Sequence, residues 1–348
     1  MSVRTARTKI QREDAIALRA LFKREEAADS FGPVGYIAPV SAKRLKGFIG
    51  AQTIPQQQII PIKTNADEIV LSEIIREGIF ELHQTNRTRL SLRVITTEGT
   101  NTDRLKKIIS ALGAEVEATL PLNTNPFLQI LYIGYNTEER RNPDQKAINS
   151  GYERLLHQAR MRELLRADFP DLNTNHLMRQ TETTNFEIRD NSRHTQTELA
   201  LSMTTILGRE MLVNSFGYSF QAAQHVLDDE RNLIGTAYQN GNIVGLCVAE
   251  RREIQLSYGR TIKMAELTDG VVKKDLQHNG IYSRLSTEVI NYLYLTDTNV
   301  IFAESNPNKQ GLINTIAKQG RRIAGILPQH AEIEGSMCDL VVTYLPQT

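Results

Sequence analysis

The sequence predicts an α/β chain of the α+β kind, with a smaller α/β domain ahead of a larger C-terminal one. Three observations point there. The chain has 348 residues and is 40% hydrophobic, enough to bury a substantial core, and that length favours two domains over one. Strand-like alternation and helix-like spacing interleave along both halves. Residues 173–184, rich in Asn, Thr and Gln with few apolar side chains, break the pattern between them.

Residues 1–86 read as a helical and irregular region. Ile16, Leu18, Leu21 and Phe22 recur near helical spacing over residues 12–28. The basic residues Arg4, Arg7, Lys9, Arg12, Arg19, Lys23 and Arg24 are interrupted by Glu13, Asp14, Glu25 and Glu26, which marks a solvated helix face more than a nucleic-acid footprint. Glycines, prolines and the run Pro55-Gln56-Gln57-Gln58 defeat periodicity over 32–61, so that stretch is predicted irregular.

Residues 87–172 read as a strand-helix-strand unit followed by a linker helix. Residues 89–95 alternate as a half-buried strand. Residues 103–112 form an amphipathic helix with N-cap chemistry at 101–103 and a closing Gly113. Residues 127–133 are a second apolar strand. A polar stretch at 136–144 leads to a helix over 145–167 that stops before Pro170.

The C-terminal domain is placed at 185–348. A short strand (186–189) precedes helices at 197–213 and 220–227. Strands at 233–238 and 243–250 meet at Gln239-Asn240-Gly241-Asn242, whose Asn-Gly step is a strong hairpin signal. A long strand (261–272) feeds a glycine-marked turn and a helix (281–295). Strand 300–304, helix 310–318 ended by Gly320, an extended segment (323–333) and a last strand (340–344) complete the chain.

Global composition excludes several classes. A net charge of +1 gives no footprint for nucleic acid or anionic membrane. The two cysteines, Cys247 and Cys338, lie far apart and read as buried, inert thiols. His83, His157, His176, His194 and His225 show no metal-ligand spacing, so no metal is proposed. The N-terminus mixes charges where a signal peptide needs an apolar core, and no stretch approaches the roughly 20 apolar residues of a membrane span. A cytoplasmic protein with no membrane partner is the expectation; a homo-oligomer is left open.

Chemistry concentrates at residues 265–285, AELTDGVVKKDLQHNGIYSRL. Gln277, His278, Asn279, Gly280, Ile281 and Tyr282 fall where a helix opens after a strand. Amides there have no intrahelical partner and carry the positive end of the helix dipole, so a pyrophosphate can accept their hydrogen bonds. The order Gln-x-x-Gly-x-small after a strand resembles the acyl-coenzyme A loop of the GCN5-related N-acetyltransferase (GNAT) superfamily, and the order of C-terminal elements is similar to that fold. Residues 304–335, with Glu304, Gly311, Gly320, Gly325, Leu327, Gln329-His330, Ile333 and Gly335, resemble the tail of the beta-lysine N-acetyltransferase family. Ala265-Glu266-Leu267-Thr268-Asp269 resembles the start of that family's central strand.

The resemblance implies a mixed, mostly antiparallel sheet flanked by helices and an acyl transferase that uses acetyl-coenzyme A. The acceptor it implies is the primary amine of a small molecule such as an amino acid or amino sugar. It further implies that Val271 and Val272 meet the pantetheine arm, that the amides of Gln277, His278, Asn279, Gly280, Ile281 and Tyr282 wrap the pyrophosphate, and that Lys273 or Lys274 adds charge. Glu266 is the candidate base or one half of a salt bridge. Glu304 orders the amine or pairs with Arg321 or Arg322. His330 lines the acceptor pocket or is structural.

Three departures stand out. Tyr282 occupies a place where the family pattern has Gly or Ala, and its ring could crowd a phosphate. His278 and Asn279 replace the basic residue usual between Gln and Gly. No hydroxyl lies near Ile316, where many relatives keep a Tyr, and Tyr292 and Tyr294 read as packing residues. These departures leave open a second reading, a catalytically silent module of the same fold that binds a ligand or partner.

Overall fold

The computed structural model describes residues 59–62, scattered positions in 68–80 and in 154–161, and residues 89–96, 100–122, 128–136, 184–191, 208–212, 220–255, 261–307, 310–333 and 336–346. In chain order the elements are β1 (Ile59–Ile62), β2 (Arg89–Thr96), α1 (Thr102–Ala111), β3 (Glu115–Pro121), β4 (Gln129–Asn136), β5 (Asn185–Asp190), α2 (Phe220–Asp228), β6 (Asn232–Gln239), β7 (Asn242–Gln255), β8 (Thr261–Val272), α3 (Ile281–Leu295), β9 (Val300–Ser305), α4 (Gln310–Lys318), β10 (Arg322–Ile333) and β11 (Ser336–Tyr344). The expected helix at 12–28 and most of those at 145–167 and 197–213 lie outside the described residues. The chain forms two compact units, one of residues 1–143 with 324–339, the other of 144–323 with 340–348.

In the first unit the strand order is β1-β2-β4-β3-β10. Strands β1 and β2 run parallel and the pairs β2/β4, β4/β3 and β3/β10 antiparallel. The helix at 103–112 forms as predicted: the Asn101 side chain accepts the Arg104 amide at 3.0 Å, and Leu105 and Ile109 are buried. They join Leu71, Ile75, Leu90, Leu92, Val94, Leu131 and Ile133 in one core. Two strands were not anticipated. Pro61 masks β1, whose partner β2 supplies the ladder, and β3 (EVEATLP) carries carboxylates where a strand reading wants apolar residues. The Glu117 side chain resolves the latter by lying across Gly134 of β4, which has no Cβ to obstruct it. β10 crosses β3 at Gly325↔Ala118, where a Cβ on Gly325 would stand 2.2 Å from the Glu117 carbonyl oxygen. His330 of β10 is buried.

In the second unit the strand order is β11-β9-β8-β7-β6-β5, a mixed and mostly antiparallel sheet flanked by helices. Among the described residues β8 and β9 pair in parallel and the β11/β9, β8/β7, β7/β6 and β6/β5 pairs are antiparallel. Asn240 (φ 50°) and Gly241 (φ 76°) form the β6–β7 turn that the Asn-Gly step predicts. Helix α3 buries Ile281, Leu285, Val289, Ile290 and Leu293 on one sheet face with Cys247, Ala249, Ala265, Leu267, Ile301 and Ala303. Each of these five aliphatic side chains of α3 contributes about 1.5–3 kcal/mol of hydrophobic stabilisation. Leu246, of opposite parity to Cys247, instead faces Leu227 of α2 and Gly208, so α2 and residues 208–212 cover the other face. Among the described residues no helix is long and apolar enough to cross a membrane.

Candidate functional site

The site is built where two parallel strands part. β8 pairs with β9 only at Met264↔Val300, Ala265↔Ile301 and Glu266↔Phe302. Past that point β8 stays on β7 as far as Val272, while β9 stays on β11 through Val342↔Glu304 and Val341↔Ser305. Opposite β7, the register runs from Cys247↔Gly270 to Ala249↔Leu267, which leaves one extra residue in β8 around Thr268 and Asp269. Such a bulge bends its strand and increases its twist, which accounts for the divergence.

The end of β8 leads into the predicted loop. The Lys273 amide donates to the Val244 carbonyl at 2.9 Å, a short 3₁₀ turn (Lys274–Leu276) follows, and the Gln277 side-chain amide donates back to the Val272 carbonyl at 3.1 Å. Gln277 thus clasps the strand end. His278 (φ 68°) and Gly280 (φ 77°) turn the chain sharply; Gly280 is the α3 N-cap and has no side chain with which to cap it. The first intrahelical bond runs from the Arg284 amide to the Gly280 carbonyl at 3.0 Å. Ahead of it, the amides of His278, Asn279, Gly280, Ile281, Tyr282 and Ser283 find no acceptor among the described residues. Gln277 and His278 are exposed and Asn279 and Gly280 half-buried, so an anion can approach from solvent. Lys273 and Lys274 are exposed beside it.

Tyr282 does not crowd this loop. Its ring lies over Gly270 of β8, where a Cβ would come within 2.3 Å of the ring, and its hydroxyl donates a hydrogen bond to the Cys247 thiol. Burial pushes that thiol up to about 12, tempered by the nearby Arg321 guanidinium, and pushes the Tyr282 hydroxyl well above its ordinary range. The expectation that the ring obstructs a phosphate is therefore corrected. Bulk that looks wrong at a helix N-terminus is accommodated because β8 has glycine beneath it.

Glu266 is buried on the sheet face opposite α3 and lies 3.5 Å from the Arg252 guanidinium. Arg252 is itself buried and is held more closely by Glu250, at 3.0 Å from Nη2 and 3.2 Å from Nε. Glu250 stands directly across from Glu266 in the ladder, and Arg231 approaches the same Glu250 oxygen, Oε1, at 3.8 Å. The salt-bridge alternative for Glu266 is thus present in the structure. Phe302 and Glu304 alternate with Ile301 and Ala303, which face α3, so half-buried Glu304 lies on the same face as Glu266, on the other strand of the opening. Val271 is half-buried and Val272 buried at the end of β8.

Near Ile316 the expectation that no hydroxyl lies close by is corrected, because Thr315 is its neighbour in the chain. Ile316 packs with Ile313 and Ala317, and the Thr315 hydroxyl donates to the Gly311 carbonyl at 3.0 Å. Tyr292 packs against the α3 core and its hydroxyl donates to Asp190 at 3.2 Å, whereas Tyr294 is 44% exposed, which corrects its reading as a packing residue.

Sequence reasoning missed Glu250 and Arg252. The signal was present in Glu250-Arg251-Arg252-Glu253, a charged run that starts at the last residue of the strand predicted over 243–250. Buried charges must pair, but the partner becomes visible only when the β7/β8 register is known.

No family model matches the chain, and no curated protein matches it. Among solved structures it is similar to an IAA acetyltransferase from Bacillus cereus (14% identity over 47% of this chain and 99% of that one, TM-score 0.35). It is also similar to Arabidopsis thaliana NAA60 in complex with acetyl-CoA (14% identity, 47% and 98%, TM-score 0.37). A third is the ribosomal-protein-S18-alanine N-acetyltransferase from Escherichia coli (17% identity, 47% and 94%, TM-score 0.36).

Proposed function

We propose that the protein is a GNAT-type N-acyltransferase that takes acetyl-coenzyme A as donor and the primary amine of a small molecule, such as an amino acid or amino sugar, as acceptor. The observation that carries this reading is the opening between β8 and β9 past Glu266↔Phe302, which ends at a helix start with six amides that find no acceptor among the described residues. That arrangement fits a donor with a diphosphate at one end and a thioester at the other. Amides 278–283 would hold the diphosphate, with Lys273 or Lys274 adding charge. The backbone of Val271 and Val272 would meet the pantetheine arm along the edge that β9 has left.

When bound, the donor supplies an activated carbonyl carbon. Glu266 lies at the point where the strands part and would take the proton that the substrate ammonium must lose before its neutral amine attacks the thioester carbonyl. Glu304, on the same face across the opening, would orient the amine through its carboxylate. His278 takes the place that the family pattern gives to a basic residue, so its imidazole N–H would donate to a phosphate oxygen.

Calorimetric titration with coenzyme A tests the binding half: saturable binding is expected, and none at millimolar ligand would overturn the assignment. Thiol release with a panel of amines tests the chemistry. Glu266→Gln is expected to lower kcat by roughly 10²-fold while coenzyme A affinity stays near wild type. Loss of both together would mean that the substitution acts on folding.

A further inference from the structure

Helix α3 begins on a sequence that does little to hold it. Gly280, its N-cap, has no side chain to satisfy an amide, and Ser283, Ser286 and Thr287, all of modest helix propensity, fall in the first two turns. The six amides at this start find no acceptor among the described residues. A helix end of this kind frays unless tertiary contacts secure it. Ile281 and Leu285 secure the side that faces the sheet.

A second hold comes from the end of α4. Gly320 (φ 66°) closes that helix: its amide donates to the Ala317 carbonyl at 3.1 Å, and the Arg321 amide reaches back to the Ile316 carbonyl at 3.1 Å. Gln319, the residue before this glycine, lies beside the second turn of α3. Its Oε1 accepts from Arg321 Nε at 2.8 Å, which sets the direction of the side-chain amide. Its Nε2 group donates to the Ser286 hydroxyl at 2.8 Å and to the Thr287 hydroxyl at 3.2 Å. Those hydroxyls donate onward to carbonyls of the first turn, Ser286 to Tyr282 and Thr287 to Ser283, each at 2.8 Å. Back-bonding of this kind by itself bends a helix slightly. Here one side chain from α4 takes up both hydroxyls, and Ser286 is fully buried beneath it.

We propose that Gln319 is a positioning residue for donor binding: through Ser286 and Thr287 it holds the carbonyls of Tyr282 and Ser283, and so keeps the first turn of α3 formed with the amides of 278–283 presented together. This rests on the reading of those amides as the diphosphate site. The coupling is direct, because the Tyr282 carbonyl and the Ser283 amide belong to one planar peptide unit. A turn that is formed only part of the time reduces the apparent affinity by the fraction formed. Loss of one net hydrogen bond or slightly more corresponds to donor binding about three- to tenfold weaker. Gln319 acts through α3 and not on the reacting atoms, so kcat at saturating donor stays near wild type.

The test uses four full-length proteins: wild type, Gln319→Ala, Ser286→Ala/Thr287→Val, and the triple variant. Each is titrated with coenzyme A by calorimetry, and each is followed by amide hydrogen exchange without ligand. Gln319→Ala is expected to bind coenzyme A more weakly by the factor given and to exchange faster at the amides of 284–287, with those of 289–293 unchanged. Adding Gln319→Ala to the double hydroxyl variant should cost no further affinity, because the residues act in series. With any amine that supports thiol release, the donor KM rises in Gln319→Ala and kcat holds. Wild-type affinity in Gln319→Ala overturns the proposal, as does a loss that adds in full to that of the hydroxyl variant, or a fall in kcat at saturating donor. The transferase reading fails differently: wild type itself then binds no coenzyme A, and the role of Gln319 goes with it. Should Gln319→Ala not fold, Gln319→Met, which keeps the stem and removes the amide, decides by the same readings.

Discussion

At the scale of single residues, Tyr282 and Gly270 form a matched pair. The ring needs the flat backbone of β8, and the helix start that carries Tyr282 needs the ring turned away from its amides. A methyl group at position 270 would meet ring atoms at 2.3 Å and must displace them. Gly270→Ala is therefore expected to destabilise the protein by about 1–3 kcal/mol, as overpacking of a close contact does. It should also weaken coenzyme A binding, because α3 begins one residue before Tyr282. Removing the ring in a Gly270→Ala/Tyr282→Ala double variant should recover part of the binding loss, measurable by titration calorimetry beside thermal unfolding. Unchanged affinity in the single variant would show that the ring and the amides are uncoupled. Neither half of this pair is readable alone, since a glycine in a strand and a tyrosine in a first helical turn both look like local defects.

At the scale of elements, the turn between α2 and β6 shows how a short connection is fixed. Asp229 accepts from the amide and the guanidinium of Arg231, while the Asn232 amide donates to the Asp229 carbonyl at 2.9 Å. Burial pulls the Asp229 carboxyl upward, but the hydrogen bonds from Arg231 outweigh it and hold the group below the usual carboxylate range. A carboxylate depressed in the folded state contributes stability that is present above its unfolded value, about 3.9, and is lost as pH falls through the folded one. Asp229→Asn should therefore cost about 1 kcal/mol or less at pH 7, given that Arg231 is partly solvated, and the difference from wild type should close below about pH 4. Urea unfolding of both proteins across that window measures it. A deficit constant with pH would assign the effect to geometry and not to charge.

At the scale of the whole molecule, the first compact unit takes residues from both ends of the chain. β10 lies beside β3 although more than 200 residues separate Ala118 from Gly325, an interval of roughly that size by their numbering. A fragment ending at residue 143 would leave the outer edge of β3 unpaired, and an open edge is a template for another chain. Such a fragment is expected to self-associate in sedimentation, and joining residues 324–339 to it through a flexible linker should restore a monomer. A monomeric fragment without that segment would mean that β10 contributes little to the unit. Gly325 sets the terms of the contact, because any side chain there meets the β3 backbone.

What the sequence determined by itself is what local physics determines. Alternation placed β2, apolar runs placed β4 and β9, helical spacing with a closing glycine placed α1 and α4, the Asn-Gly step fixed the β6–β7 turn, and Gln277 to Gly280 marked the start of α3. These depend on residues a few positions apart. The tertiary structure alone decided the rest: the pairing of Glu250 with Glu266, the bulge that parts β8 from β9, the direction of the Tyr282 ring, and the placing of β10 against β3. Each depends on strand register between distant segments. Register shifts by one residue send every side chain to the opposite face, so composition and spacing within a strand leave its partners undefined.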